Sequence, residues 1–202
     1  MLLDSGADIE ATLSDGNRPL YVALINERED VALLLINEGA DIATRDFIGG
    51  TPLHLATHQG LREVSSVLLS KGLSTEAMDD ASRTMLFFCN DAYIANMLVA
   101  DGANVNHVDS SGWTTLHHAV SKRSVQVTEI LLQAGGEIDV RSVYDGRDVM
   151  DLAEDLVYEE ERDRFIDILK EAKAQRLLKA TDVDETEYEM VIRGCSSLDG
   201  QS

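Results

Sequence analysis

Lysine and arginine are scarce in this chain: 17 stand against 37 aspartates and glutamates, for a formal charge of −20. A surface so balanced repels phosphate backbones, which argues against nucleic acid as a partner, because that binding relies on basic side chains displacing counterions. Anionic membrane surfaces are disfavoured on the same ground. Cysteine is almost missing too. Cys89 and Cys195 lie far apart without metal-ligand neighbours, which speaks against a disulfide framework and for a reducing compartment. The expected setting is therefore intracellular, cytoplasmic or nuclear. Long hydrophobic runs are absent as well. The longest aliphatic stretch is Val31–Ile36, far short of the roughly 18 residues that a membrane helix needs. Met1-Leu2-Leu3-Asp4 turns acidic where a signal peptide would be basic and then apolar. Aromatic residues make up only 5%, which suits thin helical layers better than one thick globular core.

A repeat fills the space that these absences leave. Gly6, Gly39 and Gly72 are 33 residues apart, and Gly102 and Gly135 resume the same spacing. Around them stand Gly6-Ala7-Asp8-Ile9, Gly39-Ala40-Asp41-Ile42, Gly102-Ala103-Asn104-Val105 and Gly135-Gly136-Glu137-Ile138. A second landmark keeps phase with the first: Arg18-Pro19-Leu20-Tyr21-Val22-Ala23, Thr51-Pro52-Leu53-His54-Leu55-Ala56, Thr84-Met85-Leu86-Phe87-Phe88-Cys89 and Thr114-Thr115-Leu116-His117-His118-Ala119. It returns weakly as Asp148-Val149-Met150-Asp151-Leu152-Ala153.

The second unit explains the motif physically. Thr51 suits an N-cap, and Pro52 suits the first helical position, where no donor is needed. Leu53, Leu55 and Ala56 face inward, a loop near Gly60 reverses the chain, and Val64, Val67, Leu68 and Leu69 recur at helical spacing. Gly72 ends that helix in the left-handed conformation, and Gly49-Gly50 turns a hairpin. One such unit cannot bury both of its sides, so neighbours must stack.

Over about residues 2–172 the chain resembles the ankyrin-repeat family, whose period and Thr-Pro-Leu-His signature it carries. The resemblance implies an all-α repeat fold: a solenoid of about five helix-loop-helix-hairpin units, right-stacked into an elongated curved array. The expected organisation is a remnant of a preceding repeat at 1–10 and units at about 11–43, 44–76, 77–106, 107–139 and 140–180, followed by an acidic disordered tail at 181–202. The uncovered apolar face of the first unit leads to the expectation that the natural chain extends N-terminally. The third unit has three residues fewer between Thr84 and Gly102 than the second has between Thr51 and Gly72, so a shortened helix or loop is expected around Cys89–Ala95. The fifth lacks the threonine cap. Its last helix, about Glu159 to Ala180, is dense in charge, as a C-terminal cap requires.

No reactive constellation emerges. The resemblance makes His54 and His117 structural, tying each helix start to the adjacent hairpin turn. His117 and His118 project to different helix faces, and Cys89 fills the small slot held elsewhere by Ala56 and Ala119. Gly49-Gly50 lacks the Lys-Ser/Thr partner of a phosphate loop, and Asp182-Val183-Asp184 lacks the glycine and terminal glutamate of a calcium loop. The chain is accordingly read as no enzyme, with no cofactor and no metal.

The resemblance further implies a groove for another protein, formed by hairpin tips and the concave face of the first helices. By repeat phase the partner-binding candidates are Phe47, Ile48, His58, Gln59, Arg83, Ser110, Trp113, Lys122 and Tyr144. Phe47 and Trp113 are either open anchors or pack locally on the neighbouring hairpin. The expected function is a non-catalytic protein–protein interaction module whose partner is a protein. The acid is either a solubilising surface or a face that selects a basic partner. The alternative is a regulatory or targeting fragment of a larger multidomain enzyme or receptor.

Overall fold

The computed structural model describes residues 6–13 and 16–195, those from 180 onward by backbone alone. The chain divides into two units, Met1–Asp155 and Leu156–Ser202.

Among its described residues the first unit holds eight α-helices: α1 (Pro19–Ile25), α2 (Glu29–Asn37), α3 (Pro52–His58), α4 (Arg62–Ser70), α5 (Ala92–Ala100), α6 (Thr115–Ser121), α7 (Val125–Gln133) and α8 (Val149–Glu154). No strand occurs among the described residues; one isolated antiparallel bridge joins Val108 and Thr114. The helices lie in two rows. In the first row α1 touches α3, α3 touches a short 3-10 turn at Met85–Phe87, and that turn and α8 both touch α6. The second row runs α2, α4, α5, α7.

The core is the seam between successive units. Leu24, Leu53, Ala56, Val64, Leu68, Ile94, Leu98, Leu116, Val127 and Leu131 are all fully buried there. Small Ala56 and Ala119 let neighbouring helices approach closely. On the far side of the first unit, Leu13, Pro19, Val22, Val31 and Leu35 line an open groove of about 730 Å³.

The second-row helices stop as anticipated. Gly72 has φ +89°, a conformation that costs other residues a steric clash. It lets the Leu73 amide turn back to the Leu68 carbonyl at 3.2 Å. Gly39, Gly102 and Gly135 repeat the geometry.

Between the two helices of a unit one residue must also be left-handed. Gly60 serves in the second unit, but Glu27 and Arg123 take that conformation in the first and fourth. The third unit dispenses with the position. Its deletion reduces the first helix to the single turn Met85–Phe87, and Asp91 directly caps α5, accepting from the Ile94 amide at 3.0 Å. The shortening thus falls on residues 85–91. Ala92–Ala95, expected within the altered stretch, already belong to α5. The fifth unit replaces the missing threonine with Asp148, which accepts from the Met150 and Asp151 amides, while the Asp151 side chain accepts from the Asp148 amide.

The second unit of the chain contains α9, Glu159–Cys195. Glu159, Glu160 and Glu161 lie in its first turn, where the helix dipole favours negative charge. Helical backbone continues past Ala180, where a disordered tail was expected to begin. The segment from 181 to 193 has no proline or glycine, so no strong breaker stops propagation. Residues 1–5 and 196–202, parts of the expected remnant and tail, lie outside the described residues.

One consequence is measurable. Thr84 is buried and its hydroxyl has no hydrogen-bond partner among the described residues, whereas the hydroxyls of Thr51 and Thr114 lie 2.9 and 2.8 Å from a histidine Nδ1. Thr84→Val is expected to be neutral or stabilising, while Thr51→Val and Thr114→Val each cost about 1–2 kcal/mol by urea unfolding.

Candidate partner-binding face

Four successive hairpin tips, from the second unit on, are closed by a short polar side chain at one repeated position, which Leu13 occupies in the first. Asp46 Oδ1 accepts from the amides of Ile48 and Gly50 at 2.9 and 2.8 Å. Asp79 Oδ1 does the same for Ala81 and Arg83, and Asp109 Oδ1 for Ser111 and Trp113. Ser142 substitutes in the next tip, its hydroxyl accepting from the Tyr144 amide. Successive tips are joined by backbone bonds: Asp80 N–H to the Ile48 carbonyl at 2.9 Å, Ser110 to Ala81 at 3.0 Å and Val143 to Ser111 at 3.2 Å. Gly112 shows how close this approach is. A Cβ there would lie 2.8 Å from the Val143 amide nitrogen.

A second set of bonds ties helix to tip. His54 Nε2 lies 3.1 Å from the Arg83 carbonyl, and His117 Nε2 lies 3.3 Å from that of Arg147. A carbonyl only accepts, so Nε2 carries the proton. Nδ1 then accepts from the cap residue's own amide, Thr51 or Thr114, at 3.1 Å. The structural role implied for both histidines is the one they have, although the bond reaches the tip of the following unit. Tyr21 fills the same place in the first unit, its hydroxyl donating to the Gly50 carbonyl at 2.8 Å. Phe87 fills it in the third and can make no such bond. Its ring instead meets His107 and His118 edge-on, with centroids 6.0 and 5.1 Å apart.

Burial holds His54 and His117 below the ordinary histidine pKa, and the geometry agrees, because a proton on Nδ1 would oppose the cap amide. Burial lowers His118 likewise, although its Nε2 lies 3.0 Å from Asp109 Oδ2. Cys89 is buried, and burial pushes its thiol up to about 12. Among the described residues no group of three or more His, Cys, Asp or Glu is placed to hold a metal. No helix there is long and apolar enough to cross a membrane.

Three of the candidate residues come together. Phe47, Ile48 and His58 line a depression of about 280 Å³ with Ile25, Leu55 and Phe88. Phe47 is 91% exposed. Leu55, expected to face inward, is only half-buried and forms part of this wall. Two further candidates border it by way of Phe88: the Arg83 guanidinium lies 4.6 Å and the Lys122 ammonium 5.7 Å from its ring centroid. Gln59 is half-buried and donates to the Ile25 carbonyl at 3.4 Å. Ser110 and Tyr144 are exposed on tips away from the depression. Trp113 is half-buried, stacked on His117 with centroids 5.8 Å apart and edge-on to His118 at 5.1 Å. Local packing is therefore its arrangement, and Phe47 is the open aromatic.

Phe88 was missed. Its position matches Leu55 and His118 by repeat phase, and all three are half-buried. The signal was the aromatic itself, at a position filled by leucine and histidine in the neighbouring units. Beside it Lys122 reaches in to donate to the Phe87 carbonyl at 3.1 Å.

Comparison with known proteins gives a consistent picture. Family models for ankyrin repeats match residues 1–79 (three copies) and 89–132 (many copies). Over 84 residues the chain is 32% identical to a BTB/POZ domain and ankyrin repeat-containing protein of Oryza sativa subsp. japonica, covering 42% of this chain and 14% of that protein. It is 43% identical over 53 residues to the RelA-associated inhibitor of Mus musculus, 26% of this chain and 6% of the relative. A putative ankyrin repeat protein of Rickettsia bellii is 29% identical over 65 residues, 31% and 19% of the two chains. The matched region thus spans less than a fifth of each of these relatives.

Two expectations follow. The histidine ties are lost on acidification: the unfolded chain binds protons near the ordinary histidine pKa of about 6.5 while the folded chain resists them, so stability is complete above that pH and falls below it. The melting temperature should be flat from pH 8 to 7 and drop between pH 6.5 and 5, and a His54→Gln/His117→Gln variant should show a shallower drop from a lower start. Trp113 fluorescence should be shifted to the blue of free indole, and His117→Ala should move it back toward the red.

Proposed function

Because the chain belongs to the ankyrin-repeat family, we propose that it is a non-catalytic module that grips a partner protein through its hairpin tips and the exposed side of its first helices. Ankyrin repeats generally mediate protein–protein interaction. The observation that carries the reading here is the apolar depression walled by Ile25, Ile48, Leu55 and Phe88, with the Phe47 ring standing in solvent beside it. Hairpin tips are ordinarily polar, and an exposed aromatic next to a hollow is the arrangement of an interface anchor. The surrounding backbone is held by tip-to-tip and histidine bonds, so ordering it costs a partner little entropy. The proposed partner is a protein, with neither nucleic acid nor membrane engaged, in keeping with the charge of −20.

A second reading concerns the parent polypeptide: the module serves as the regulatory or targeting part of a larger multidomain protein. The small share of each relative that the chain matches favours it, as does the BTB/POZ domain in one relative's name. The two readings share the same binding face.

Affinity capture with the chain and with a Phe47→Ala/Ile48→Ser variant tests the face. Both side chains are exposed, so the variant should fold unchanged by circular dichroism, and its affinity for each captured protein should fall at least about tenfold, as anchor truncation does. Retention of the same proteins at unchanged affinity would overturn the assignment.

A further inference from the structure

Resting on that binding reading, we propose that the depression receives one apolar side chain of a partner segment whose neighbouring Lys or Arg pairs with Asp46. Three tips carry an aspartate at the same position, and in each Oδ1 closes the tip. The other oxygen separates them. Asp79 Oδ2 is held by Arg83 Nε and Nη2 at 2.9 and 2.7 Å, and Asp109 Oδ2 lies 3.0 Å from His118 Nε2. Asp46 Oδ2 meets no cation at ion-pair distance among the described residues. The sequence supplies the reason: Gly50 stands where the third tip has Arg83, and Leu55 stands where the fourth unit has His118. Arg18 and Arg45, which share a pocket lining with Asp46, are directed elsewhere. Arg18 pairs with Glu10 at 2.7 Å, and Arg45 donates to the carbonyls of Gly49 and Met78.

Asp46 also lines the depression. The hollow is therefore lined by a carboxylate whose second oxygen meets no cation among the described residues, beside the exposed Phe47 ring, and by apolar Ile25, Ile48 and Leu55. Phe88, also in its lining, lies under Arg83 and Lys122. Arg83 is already paired with Asp79, and Lys122 donates to the Phe87 carbonyl. The complement is an apolar side chain in the hollow with a cation at Asp46, where it gains a charge-assisted hydrogen bond and the face of Phe47.

Random dodecapeptides displayed on phage and panned against the full chain provide the probe. The enriched sequences should place Leu, Ile, Phe or Met within two residues of Lys or Arg. A synthetic peptide from that set should bind about tenfold more weakly to Asp46→Asn, with a flatter salt dependence. The Asn carbonyl oxygen can accept the same two tip amides, so the fold is retained. Ile48→Ser should weaken binding with the salt dependence unchanged. Peptides sensitive to Ile48→Ser but indifferent to Asp46→Asn would overturn this inference and leave the binding reading standing. Peptides indifferent to both would overturn both, and a selection that enriches nothing would overturn the pairing proposed here.

Discussion

A seven-residue helix followed by a nine-residue helix has too little depth to enclose a side chain. Every apolar group it carries must be covered by the next such pair, and the rest of the structure follows from that requirement. The periodic Leu, Val and Ala positions are buried at the seams between units, which is why Ala56 is as completely covered as Leu53 and Ala119 is buried beside Leu116. Stability in such an array is a sum of neighbour terms, so local defects are tolerated locally. The third unit can lose most of a helix while α3 and α6 still find it between them.

Apolar burial has little directionality, and register between units comes from a different source. In the first, second and fourth units the residue three places after the cap reaches the same carbonyl of the following tip: Tyr21 to Gly50, His54 to Arg83, His117 to Arg147. Tyrosine and histidine differ in size and chemistry, yet both offer one donor at the required reach. The third unit breaks the series with Phe87, and the effects spread no further than its neighbours. Thr84 loses its partner, His107 bonds the Ser82 carbonyl at 2.9 Å, and Lys122 crosses from the fourth unit to a carbonyl the missing turn would have used. The polar stitching is thus repaired piece by piece around the gap.

The architecture was legible because its determinants are local and periodic. Spacing, the Thr-Pro cap and the terminal glycines each specify one feature of one unit. The left-handed residues at Glu27, Ser82 and Arg123 were not legible, since nothing in those side chains announces a positive φ. The fifth unit lacks the threonine, as expected, but not the cap, because the Asp148 carboxylate accepts the first-turn amides. The site was legible in part. Phe47, Ile48 and His58 follow from repeat phase, but Trp113 packs on His117 and His118 of its own unit, and Phe88 was not among the candidates. Phe88 meets His54 and His58 of the preceding unit and Lys122 of the next. Phase locates a side chain along its own repeat and says nothing of which side chains close over it.

The acidity has a similar double character. Asp46, Asp79 and Asp109 are spent on closing tips, and the second oxygen of two of them is further engaged, by the Arg83 guanidinium and by the His118 imidazole. The structural duty needs only one carboxylate oxygen. Whether the second oxygen is available is decided by the residues four and nine places later, which are Arg83 and His118 in two cases and Gly50 and Leu55 in the third. One repeated motif therefore yields two tips whose second oxygen is engaged and one whose second oxygen meets no cation among the described residues, on a residue that lines the apolar hollow. Specificity in a repeat protein can arise in this way without any new motif, from the omission of a partner at a position where its neighbours have one.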